Sequence, residues 1–63
     1  MKTQHEPRFE YAGPYRSVER ASDELANLFE QGDVSEGERP RVTSRQVRRD
    51  GKRVTRWFVT LAA

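Results

Sequence analysis

Residues 41–61 read RVTSRQVRRDGKRVTRWFVTL, and the fold turns on Asp50-Gly51 at their centre. A two-residue hairpin turn needs positive φ at both central positions. Aspartate tolerates this and glycine adopts it freely, so Asp-Gly between runs rich in β-branched residues is among the strongest hairpin signals. Centring the turn there sets a register in which Arg49 faces Lys52, Val47 faces Val54, Arg45 faces Arg56, Thr43 faces Phe58 and Val42 faces Val59. Side chains alternate between the two faces of a strand. One face then carries Val42, Trp57, Val59 and Leu61 near the open end. The other carries Val47, Val54 and Phe58 among Arg41, Arg45, Arg49, Lys52 and Arg56.

Upstream, Arg8 to Ala12 places Phe9 and Tyr11 at period two, the mark of a short strand with one apolar face. Gly13-Pro14 is expected to stop it, since proline cannot donate to a ladder and glycine allows a sharp turn. A helix is expected over 17–31. Ser17 is placed to cap it. Val18, Ala21, Leu25, Leu28 and Phe29 recur at helical spacing on one stripe, with Glu19, Asp23, Glu24, Asn27 and Glu30 on the other side. Gly32 is a fitting stop because it adopts positive φ without strain. Residues 31–40 are polar and read as a loop. Residues 1–7 read as a flexible N-terminal tail, leaving 8–63 as a single small α+β domain.

The order β-α-β-β follows. The last strand is apolar on both sides at Trp57-Phe58-Val59, as a central strand would be. The expected architecture is a three-stranded antiparallel sheet, order 1-3-2, with one helix packed on one face. The expected core is Trp57, Val59, Leu61, Val42, Phe9 or Tyr11, and the helical stripe Val18, Ala21, Leu25, Leu28 and Phe29.

Composition narrows the function. The chain has 63 residues and no cysteine, and its one histidine is His5, so disulfides and ordinary zinc sites are not expected. A chain this short hides only about 60% of the surface of its unfolded form, which makes a homodimer a reasonable stabiliser. Apolar runs fall far below the ~18 residues of a membrane span. No signal peptide is recognisable at the N-terminus, so a cytoplasmic location is expected. Net charge is +2, but it is divided. Residues 1–38 carry four basic and nine acidic groups, a balance of −5, whereas residues 39–63 carry eight basic groups and Asp50, a balance of +7.

That division singles out the hairpin. Arginine presents a planar fork of donors to phosphate, and a two-stranded ribbon fits the major groove of B-DNA. The candidate binding residues are Arg41, Arg45, Arg49, Lys52, Arg56 and Phe58, the last as a stacking or anchoring aromatic. They imply a small non-catalytic module whose partner is nucleic acid or an acidic protein surface. The alternative is a homodimeric protein-protein adaptor or inhibitor, similar in size and charge to accessory proteins of phages and mobile elements. The plainer reading is a solvated hairpin whose arginines protect a sheet edge. Against it, the facing pairs Arg45/Arg56 and Arg49/Lys52 repel one another unless something neutralises them. The acidic helix side is read as a solvated surface. No nucleophile-base pair, paired carboxylates or glycine-rich phosphate loop is present, so neither enzymatic activity nor a cofactor is expected. Gly13-Pro14-Tyr15, with Ser17, Glu19, Ala21 and Leu28, resembles the strand-to-helix junction of SPOR peptidoglycan-binding domains over about a quarter of the chain. The second helix of that family's repeated unit has no counterpart here, and the family is not assigned.

Overall fold

Asp50 and Gly51 take φ values of 54° and 78°, the conformation their sequence invites, and fold residues 41–62 back on themselves. The structure, a computed structural model, describes residues 7–62, so the expected tail lies outside the described residues apart from Pro7. The elements are β1 (Arg8–Tyr15), α1 (Val18–Gln31), a 3₁₀ turn at Glu36–Glu38, β2 (Arg41–Arg49) and β3 (Lys52–Ala62). Both strand pairings are antiparallel and the sheet order is β1-β3-β2. The hairpin register matches the sequence reading at every pair, from Val42↔Val59 to Arg49↔Lys52.

The helix is delimited by its caps. The Ser17 hydroxyl accepts from the Arg20 N–H, and Gly32, at φ 80°, donates back to the Leu28 and Phe29 carbonyls. The chain just past the cap stays tied to the helix, because the N–H groups of Asp33 and Val34 both reach the Leu28 carbonyl. This turn carries Val34 into the interior, where it joins Leu28, Val59 and Leu61. Ala12, Tyr15 and Leu25 pack against that cluster. Full burial of aliphatic side chains such as Val59 and Leu61 stabilises by about 1.5–3 kcal/mol each.

Several expectations are corrected. β1 does not stop at Gly13-Pro14 but runs on to Tyr15, which pairs with Trp57. Two register shifts make this continuation work, one between Glu10 and Ala12 and one between Ala12 and Tyr15, the second spanning a cis Gly13-Pro14 peptide. A bulge absorbs the extra residue that an uninterrupted ladder would exclude. The register skips Tyr11, and Phe9 sits on an edge strand, so they are 43% and 47% exposed rather than buried. Val18 and Phe29, on one side of the helical stripe, are likewise half-exposed, while Ala21 and Leu28, on its other side, are buried. Trp57 and Val42 are half-buried. Val34 lies in a loop, as expected, but is buried in the core.

Candidate binding surface

Helix length decides where the surface opens. Fourteen helical residues span roughly 21 Å, whereas an eleven-residue strand spans about 37 Å. β1 is also short of the hairpin tip, since its last partner on β3 is Trp57. Beyond that point β2 and β3 continue alone through five facing pairs, Arg45↔Arg56 to Arg49↔Lys52. The result is a two-stranded arm about 15 Å long before its turn. The molecule as a whole is a slab, with Cα extents of 39 × 37 × 15 Å.

The register assigns each candidate residue to a face. Arg41, Arg45, Arg49, Lys52, Arg56 and Phe58 share the open face, opposite the face that carries Val42, Val59 and Leu61. Arg8 and Glu10 join them from β1, because they face Ala62 and Thr60. Along the arm the helix-side face is bare as well: Gln46, Arg48, Arg53 and Thr55 are all exposed. Arg48 and Arg53 therefore belong to the same cationic arm. Alternation assigns them to the helix side, and their exposure shows that the helix does not cover them.

Phe58 is not the open aromatic that the sequence suggests. It is 5% exposed although it points away from the helix. Two neighbours cover it. The Arg45 guanidinium lies over its ring, 4.6 Å from the centroid. Gly13 abuts it from β1, so closely that a Cβ there would sit 2.8 Å from the ring and 3.0 Å from the Trp57 carbonyl. Gly13 also has φ of 128°, which only glycine adopts readily. The β1 kink is thus the rim of the Phe58 seat. The aromatic contributes packing and a platform beneath Arg45, and no exposed stacking surface.

Arg45 is held in turn by Glu10. Its Nε and Nη2 both donate to the carboxylate, Nη2 at 2.9 Å from Oε1, so the pair is a two-pronged fork. It reaches from β2 to β1 across the central strand. The pair stays in contact with water, with side chains 54% and 37% exposed for Arg45 and Glu10. The Arg45 hydrogen bond and charge hold the Glu10 carboxyl below the ordinary glutamate range, against a smaller opposing effect of burial. The same hydrogen bond raises Arg45. At the far end of this face, Arg8 donates to the Thr60 hydroxyl at 3.2 Å, to the Thr60 carbonyl at 3.0 Å and to the Arg39 carbonyl, clamping β1 to the strand beside it and to the loop before β2.

The two layers carry opposite charge. Residues 17–38, the helix and its following loop, have Arg20 against seven acids, a balance of −6. Residues 8–16 and 39–62, which hold the strands, have ten basic groups against Glu10 and Asp50, a balance of +8. Recesses on the surface are shallow. One of about 440 Å³ is bordered by Tyr15, Arg20, Asp23 and Glu24, and one of about 390 Å³ by Gln46, Val47, Arg48 and Arg53. Burial, helped by the nearby Glu24 charge, pushes the Tyr15 phenol up. Among the described residues, no three acidic, histidine or cysteine side chains gather as metal ligands do, and no helix is long and apolar enough to cross a membrane. His5 lies outside the described residues. Comparison with family models, with curated proteins and with solved structures finds no match to this chain.

Proposed function

We propose that this chain is a non-catalytic module that binds nucleic acid through its arginine-rich hairpin. The observation that carries the reading is the arm. Arg45, Arg48, Arg49, Lys52, Arg53 and Arg56 lie on a two-stranded ribbon that extends past the end of β1, with Arg48 and Arg53 exposed on its helix side. A ribbon of this width fits the major groove of B-DNA, and cations on both of its faces meet phosphates on either wall. The acidic helix layer sits on the other side of the slab, where it keeps the duplex oriented toward the sheet.

Binding of this kind releases counterions, so affinity falls linearly with salt on a log-log scale by about 0.9 per phosphate contacted. Four to six contacts from the arm predict a slope of roughly −3.5 to −5.5. Fluorescence anisotropy with labelled duplex DNA, single-stranded DNA and RNA across a salt series measures it. Replacing Arg48 and Arg53 together by glutamate is expected to weaken duplex binding more than about tenfold, since it reverses two contacts, while the melting temperature stays close to wild type. No binding of any nucleic acid by micromolar protein at low salt overturns the reading.

A protein partner, with self-association as its simplest form, is the second reading. The half-exposed Phe9, Tyr11, Val18 and Phe29 favour it, as apolar side chains that a partner would cover. Sedimentation velocity separates the two: a dimer that persists at high salt, with no nucleic-acid binding, supports the second.

A further inference from the structure

Glu10 stands alone among the cations of the open face. On that face the register gathers Arg8, Arg41, Arg45, Arg49, Lys52 and Arg56, and among the described strand residues pointing the same way Glu10 is the one acid. Its carboxylate receives both prongs of the Arg45 fork. A phosphate diester offers the same pair of oxygens to the same donors, and a guanidinium fixed in one plane binds either with little further ordering. Arg45 is fixed in this way. Its guanidinium rests on the Phe58 ring, against which Gly13 of β1 packs closely. Arg56 faces Arg45 across the ladder, so a second cation flanks the place where the anion sits.

We infer that Arg45 on its Phe58 platform is a phosphate subsite for a nucleic-acid backbone, and that Glu10 occupies it in the free chain. The inference rests on the nucleic-acid reading above. Glu10 then has two effects. It relieves the repulsion between Arg45 and Arg56 while no ligand is bound. It also competes with the incoming phosphate, so the arm engages only a ligand that supplies further contacts at Arg48, Arg49, Lys52 and Arg53. The exchange is inexpensive because solvent already reaches both partners, and exposed ion pairs contribute little to stability. Removing a carboxylate from the helix layer has no such effect, since no fork is released.

A double-mutant cycle tests this by anisotropy on labelled duplex DNA, using wild type, Glu10→Gln, Arg45→Gln and the double variant, with Glu30→Gln as a charge-matched control on the helix. Glu10→Gln is expected to tighten binding about fivefold and Glu30→Gln by less than about twofold. Arg45→Gln is expected to weaken the wild type by less than about twofold and the Glu10→Gln background by about fivefold or more. Should Arg45→Gln unseat Phe58 and lower the melting temperature sharply, Arg45→Lys, which keeps the charge and loses the fork, takes its place in the cycle. Additive effects, or equal tightening by Glu10→Gln and Glu30→Gln, overturn the subsite while leaving nucleic-acid binding intact. Absence of binding by both wild type and Glu10→Gln overturns the subsite together with the reading beneath it.

Discussion

The root and the tip of the β2–β3 hairpin obey one register and meet different fates. At the root, Val59 and Leu61 are fully enclosed by α1, β1 and Val34, and even the outward-pointing Phe58 is sealed beneath Arg45. At the tip, the same two strands carry Arg48, Arg49, Lys52 and Arg53 into solvent on both sides. The root is richer in β-branched and aromatic residues, yet local preference alone does not enclose a side chain. The presence of a third strand and a helix does. An isolated two-stranded hairpin is marginal in water, so the root anchors the tip and the tip adds little to the root.

That asymmetry is breakable in graded steps. The largest effect is expected from Leu61→Ala, a truncation of a buried core leucine at about 2–5 kcal/mol. A chain of this size has about 3–9 kcal/mol of stability in all, so urea denaturation followed by circular dichroism should show the variant largely unfolded or with a much lower midpoint. Val54→Ala on the arm is expected to shift the midpoint by under about 1 kcal/mol, and equal losses at the two positions would erase the distinction between root and tip. Next comes Gly13→Ala. It forces a side chain into a backbone conformation reserved for glycine and drives a methyl into Phe58, for an expected cost of about 2–4 kcal/mol by the same measurement. The smallest effect concerns acid. Glu10 has a lowered pKa in the folded chain, so its contribution is present above the ordinary glutamate range and is lost as pH falls through its own, lower value. Melting temperatures measured from pH 7 down to 3 should therefore fall more for wild type than for Glu10→Gln, and identical profiles would show that the clasp does not stabilise the fold.

Much of the root was legible in residue order. Asp50-Gly51 states its turn chemistry outright, Ser17 and Gly32 state the helix ends, and Trp57-Phe58-Val59 states a central strand. Most of the misses share a cause: they depend on contacts distant in sequence. Alternation cannot see a bulge, so Gly13-Pro14 read as the end of β1 when it is a kink that lets the strand continue and rim Phe58. Polar neighbours hid Val34, whose burial follows from the turn geometry after Gly32. Phe58 was assigned correctly to the open face, yet a face need not be exposed when one long arginine lies across it. Of the candidate surface, the grouping of Arg41, Arg45, Arg49, Lys52 and Arg56 on one side was readable from the turn. The clasp by Glu10 was not, because it joins residues 35 positions apart.

The ladder that sets Arg8 against Ala62 carries a kinetic consequence. The hairpin closes over a two-residue turn and belongs to the microsecond class of folding events. β1, by contrast, must find β3 across nearly the whole described chain, a search whose loop entropy is spent before any contact rewards it. During synthesis the first strand waits for the last one to leave the ribosome, and in that interval the half-exposed aromatics of β1 have no sheet to join.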